Sequence, residues 1–224
     1  MASTLLGGSA QAASDISGLY NTGVDLGASD VDQAWQIVGG YSNPRFNSYP
    51  TAVYADATNG VFPIGPWVQN TNVSAWDTPT NPLTQNLDPT YPGTYVYQTT
   101  FTVAGPVSSL GHLTGVFAAD NEVSQITLNG VTIYTGPSSA SQTSQFASFT
   151  AFSDFGNFVT GTNTLQFTVV NFAQNGGNPS GLNVQFGPAT AVPEMSTWLM
   201  MLAGFAGLGF AGHRRKAASA ASHA

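Results

Sequence analysis

The sequence predicts an all-β fold: an antiparallel β-sandwich or jelly roll of two sheets, followed by one C-terminal hydrophobic transmembrane helix. Three observations carry that expectation. Short runs with apolar residues at every second position fill the chain from Gly93 to Phe186, the pattern of strands with one buried face. Polar turns separate these runs, and no stretch before residue 192 shows the 3.6-residue period of an amphipathic helix. Ser196 to Gly212, in contrast, contains no charged residue and is too apolar for a surface helix.

In chain order, Ala10-Gln11-Ala12 has the small-residue form of a leader cleavage site and follows the apolar Leu5-Leu6. Residues 1–12 therefore read as the remnant of a signal peptide, with Ala10 and Ala12 at the cleavage site. Residues 13–190 are the expected ectodomain. Its first half, to Pro92, is loop-rich, with acidic turns around Asp25, Asp30 and Asp32 and short strand candidates at Ala34–Val38 and Ala52–Ala55. The density of prolines from Pro63 to Pro92 predicts neither helices nor central strands there. Order in such a segment depends on packed aromatics, so Trp67 and Trp76 are expected to be at least partly buried.

After Gly93, the residues Tyr95, Tyr97, Thr99, Phe101 and Val103 share one strand face. Leu113–Ala118, Ala147–Phe155, Thr164–Val170 and Gly181–Phe186 read as further strands. Ser124–Leu128 and Val131–Tyr134 flank Asn129-Gly130, a pair suited to the positive φ angles of a type I′ hairpin turn. Residues 191–224 form a separate C-terminal segment.

Composition narrows the function. Charged residues make up only 7% of the 224-residue chain and apolar ones 42%, enough for one domain with a core. Between Ser14 and Ala191, nine Asp, Glu122 and the single base Arg45 leave a net charge of −9, which repels phosphates and excludes a nucleic-acid partner. Cysteine is absent, so neither a disulfide framework nor a thiolate site is available. His112 is the only ectodomain histidine and reads as a surface residue at a strand start. With no G-x-S-x-G elbow beside it, no nucleophilic triad can be assembled. Asp120 and Glu122 are the nearest approach to a paired-carboxylate site, and a non-enzymatic role is expected.

The C-terminal segment has three ordered parts. Val192, Pro193 and Glu194 come first, then Ser196–Gly212 with Trp198 at its head, then Arg214, Arg215 and Lys216. Seventeen helical residues span about 26 Å, slightly under the ~30 Å hydrocarbon core of a bilayer. An interfacial indole at one end and a basic stop at the other orient such a helix with residues before 192 outside the cytoplasm. This order of parts resembles the PEP-CTERM sorting signal of Gram-negative bacteria, with Met195 where that motif has its second proline. The resemblance implies recognition of Val192, Pro193 and Glu194 by an exosortase, a membrane protease-transpeptidase. It also implies a transient anchor in the cytoplasmic membrane and delivery to the cell surface or extracellular matrix.

A second resemblance covers about Gly93–Gly187. Ala118-Ala119-Asp120-Asn121-Glu122, Ile126-Thr127-Leu128-Asn129-Gly130-Val131, Gly161-Thr162-Asn163-Thr164-Leu165 and Asn178-Pro179-Ser180-Gly181-Leu182 are similar to the galactose-binding-like jelly roll of carbohydrate-binding modules. Exopolysaccharide is the candidate ligand, with Trp35, Trp67 and Trp76 as candidate sugar-stacking rings. Oxygen-rich Asp120, Asn121 and Glu122 are candidate ligands for a structural Ca2+. The alternatives are a membrane-tethered structural or adhesive surface protein without a glycan ligand and, less favoured, a glycan-active enzyme.

Overall fold

The computed structural model describes residues 15–40, 52–56, 58–61, 64–80, 93–105, 107, 110–137, 144–154, 156–172, 179–187 and 190–191. The leader residues Ala10 and Ala12, the sorting motif Val192–Glu194, the apolar span Ser196–Gly212 and the basic residues Arg214–Lys216 lie outside the described residues. Among the described residues no helix is long and apolar enough to cross a membrane.

Among the described residues, twelve strands run in the order β1 (Asp15–Ser17), β2 (Trp35–Gly39), β3 (Tyr54–Asp56), β4 (Trp76–Thr78), β5 (Gly93–Ala104), β6 (Leu110–Asp120), β7 (Glu122–Leu128), β8 (Val131–Thr135), β9 (Gln145–Asp154), β10 (Gly161–Asn171), β11 (Gly181–Phe186) and β12 (Thr190–Ala191). They form two antiparallel six-stranded sheets, a β-sandwich. The first has the order β1-β5-β10-β7-β8, with β2 also on β5; the second has the order β12-β6-β11-β4-β3, with β9 on β6.

The long central strands show why the alternating pattern folds this way. On β5, Tyr95, Tyr97, Thr99, Phe101 and Val103 are buried and the residues between them face outward. Its partner β10 buries Leu165, Phe167 and Val169 in the same manner. Between the sheets the aromatic rings meet edge to face: Phe152 and Phe167 lie 5.4 Å apart at 89°, and Phe117 and Tyr134 5.2 Å apart at 78°. This geometry places ring edges against ring faces and adds about 0.5–1.5 kcal/mol per pair beyond buried area. The β7–β8 hairpin turns at Asn129 (φ 52°) and Gly130 (φ 80°) as the dipeptide requires.

The loop-rich half corrects one expectation. β4 sits inside the second sheet between β11 and β3, although the proline density predicted no central strand there. The proline rule acts on the residue that lacks its own N–H; β4 ends at Thr78, immediately before Pro79, and so loses no ladder bond. Thr22 ties this half to the sandwich. Its hydroxyl donates to the Ala75 carbonyl at 2.7 Å and accepts from the Val184 amide at 2.9 Å, while the Ala75 amide donates to its carbonyl at 2.9 Å. Thr22 has no solvent exposure, so removing the hydroxyl strands two buried backbone groups. Thr22→Val is expected to cost about 1–3 kcal/mol in chemical denaturation, with Thr22→Ser close to wild type; equal stability of all three proteins would contradict this role.

Candidate functional site

The three tryptophans read as a sugar-stacking platform are all buried, at 2% (Trp35), 2% (Trp67) and 0% (Trp76) exposure. Trp35 points inward from β2, lies parallel to Phe186 at 6.4 Å and donates its indole N–H to the Tyr20 carbonyl at 3.1 Å. Trp67 and Trp76 pack together on the outer face of the second sheet, 4.2 Å between ring centroids. Gly181 of β11 lies beneath them, and a Cβ there would stand 3.0 Å from Trp67 and 3.1 Å from Trp76. Trp76 donates to the Val68 carbonyl at 2.8 Å, and Trp67 donates to the Asp120 carboxylate at 2.8 Å. None of the three presents a ring face to solvent. Trp67 and Trp76 fasten the 64–76 segment to the second sheet, because an indole buries a large apolar ring while its one N–H still finds an acceptor.

Asp120, Asn121 and Glu122 form the corner at which the chain leaves the second sheet (β6) and enters the first (β7). The Asp120–Asn121 peptide is cis. Asn121 knits the corner together: its amide donates to the Val170 carbonyl at 3.0 Å, its carbonyl accepts from Gln145 at 2.6 Å, and its side-chain oxygen accepts from Phe172 at 2.6 Å. Asp120 and Glu122 thus begin on different sheets, and both are buried. Burial pushes Asp120 up to about 7, while the bond from Trp67 acts in the opposite direction. Among the described residues no three His, Asp or Glu side chains are gathered so as to hold a metal ion. The Trp67 bond joins one expected stacking residue to one expected Ca2+ ligand. His112 is half-buried on β6.

A second acidic pair lies inside the sandwich. Asp32, 5% exposed, accepts from the Gly23 amide at 2.8 Å and the Ala34 amide at 2.7 Å. Asp77 on β4 is fully buried; burial, and then the Asp32 carboxylate beside it, push it well above the usual carboxylate range. Tyr97 is driven upward by burial first, then by Tyr95 and Asp77, and burial pushes Tyr95 up to about 12.

Two open depressions lie along the edge of the first sheet. A groove of about 610 Å³ is walled by Tyr20, Val24, Leu26 and Val31, with Asp32 and Thr100 among its lining residues. Tyr20 is 55% exposed. The segment from Val31 to Ala34 and Thr100 separates this groove from a hollow of about 330 Å³ that also borders Gln33, Gln36 and Gln98. Tyr20 escaped the sequence reading because it stands in a turn-rich stretch without strand periodicity; an aromatic residue stranded among turn residues was the available signal.

No protein-family model, curated protein or solved structure matches the chain.

Two measurements check these assignments. Gly181→Ala is expected to wedge the Trp67–Trp76 pair off β11 and lower Tm by several degrees, at about 1–3 kcal/mol for overpacking; an unchanged Tm would remove the indole clamp from the account. The raised acids set the sign of the pH dependence. Their contribution to stability is full below the usual value of 3.8 and is lost as pH rises from there, for Asp120 up to about 7 and for Asp77 as pH passes through its own raised value. Calorimetry should therefore show Tm falling from mildly acid to mildly alkaline pH, with a shallower fall in Asp77→Asn and Asp120→Asn.

Proposed function

We propose that this chain is an exported, non-enzymatic surface protein that an exosortase-type system delivers to the cell envelope or exopolysaccharide matrix of a Gram-negative bacterium. Its β-sandwich is a galactose-binding-like jelly roll that binds carbohydrate there. The observation that carries this reading is the ordered C-terminal segment: Val192-Pro193-Glu194, the uncharged Ser196–Gly212 and the basic Arg214-Arg215-Lys216. Each part has a physical task. The apolar span partitions into the bilayer, and its many Gly and Ala residues keep it weakly hydrophobic. The basic cluster holds its end in the cytoplasm, and the motif then lies at the outer surface, where a membrane protease reaches it.

The ectodomain supports the same reading. Its paired acids are buried, Asp120 against Trp67 and Asp77 against Asp32, whereas a glycosidase presents two carboxyls across an open cleft. The acidic, cysteine-free sandwich has no disulfide to stabilise it. A structural Ca2+ at Asp120, Asn121 and Glu122 belongs to the same proposal, supported by the oxygen chemistry of those side chains.

Met195, in place of the second proline of the motif, favours a second reading. In it the protein stays on its anchor as a tethered structural or adhesive protein without a glycan ligand. Intact mass of the protein from its native host, with and without the exosortase, separates the two. Exosortase-dependent loss of the residues beyond about 195 is expected; a full-length C-terminus in the membranes of both strains would leave only the tethered reading.

A further inference from the structure

The outer face of the first sheet is built from uncharged hydrogen-bonding side chains in register. Gln36 of β2 stands opposite Gln98 of β5, Gln98 opposite Gln166 of β10, Gln166 opposite Thr127 of β7, and Thr127 opposite Thr132 of β8. Directly opposed residues of antiparallel strands share a face, so these five form one row across the sheet. The neighbouring rows hold Thr100 with Thr164, Ser17 with Thr102 and Thr162, and Val96 with Thr168, Gln125 and Thr135. Adjacent strands lie about 4.8 Å apart and alternate residues on one strand about 6.7 Å apart. The result is a grid of amides and hydroxyls, with Val96 as an apolar member, that carries no charge in four successive rows on a chain with net charge −7.

The row is also wired in one direction. The Thr127 hydroxyl donates to the Gln166 side-chain oxygen at 3.3 Å, and the Gln166 amide nitrogen donates to the Gln98 side-chain oxygen at 2.8 Å. These bonds orient the Gln98 amide and leave its NH2 donors outside the relay. Gln98 borders the hollow that also touches Gln33, Gln36 and Thr100, and Tyr20 stands in the groove beyond Val31.

We infer that this face, with the Gln36–Gln98 hollow and the Tyr20 groove at its edge, is a binding surface for a neutral, extended polysaccharide chain. The inference deepens the carbohydrate reading above and rests on it. Charge complementarity selects the occupant. Such a polymer brings hydroxyls and no charge, and neutral polar groups are desolvated at far lower cost than ions. An anionic polymer would meet the acidic protein without a base in any of the four rows. Amides held by the relay lose little freedom on binding, and Tyr20 supplies an aromatic ring for the apolar face of one sugar.

Affinity electrophoresis of the full chain in a mild non-ionic detergent tests this, in gels containing a neutral β-glucan, a neutral galactan or anionic alginate. Retardation by a neutral polymer and none by alginate is expected. Gln98→Glu keeps the acceptor used by Gln166 but removes the NH2 donors, and should weaken binding roughly tenfold; Tyr20→Ala should do the same, both with wild-type Tm. If wild type is retarded and both variants are retarded as strongly as wild type, the surface assignment is overturned while carbohydrate binding stands. If neither neutral polymer retards wild type, both are overturned. Retardation by alginate, or self-association abolished by Gln98→Glu, would overturn the assignment in favour of an anionic ligand or a second copy of the chain.

Discussion

The indole N–H of Trp67 bonded to the Asp120 carboxylate, 2.8 Å apart and buried, is the contact on which the arrangement of the loop-rich half depends. It reaches across 53 residues and joins the 64–76 segment to the end of β6. The same segment supplies Trp76 to the clamp over Gly181, and Ser74, whose hydroxyl donates to Asn183 of β11 at 2.8 Å. One side of the second sheet is thereby sealed by protein. The outer face of the first sheet stays open, and the tryptophans that composition suggested for stacking serve in packing.

Burying carboxyls is unusual in a domain with one base between Ser14 and Ala191. The protein meets the cost in two ways. Asp32 receives two backbone amides, and Asp120 receives the Trp67 indole. Asp77, beside Asp32 and fully buried, is pushed well above the usual carboxylate range by burial and then by Asp32, which favours its protonated form. Such an interior is stable where protons are plentiful, and a chain without cysteine has no disulfides to compensate if it loosens.

The second half of the fold was legible because its strands are long and one-sided. β11 has the predicted bounds, Gly181–Phe186, and β5 the predicted buried face, since period-two alternation records burial directly. The Asn129-Gly130 turn was legible for a different reason: only a few residue types tolerate positive φ. The first half was legible only in part. The strand candidates Ala34–Val38 and Ala52–Ala55 overlap β2 and β3, whereas β1 and β4 are three residues each, too short for a period to emerge, and they pair with the distant strands β5 and β11. Buried tryptophan was expected in part, but no local pattern states which acceptor an indole will reach. The row from Gln36 to Thr132 was invisible for the same reason, because opposition across strands is a property of register.

The sandwich thus has a sealed side, a polar uncharged side and an edge groove carrying Tyr20 between acidic turns. NMR of the Trp67 indole N–H tests most directly whether this side chain is a clamp bonded to a raised Asp120. The resonance, assigned by its loss in Trp67→Phe, should exchange slowly with water and shift with a midpoint of about 7 as Asp120 titrates. A rapidly exchanging indole with no inflection between mildly acid and mildly alkaline pH would contradict it, and would return Trp67 to the list of residues available to a ligand.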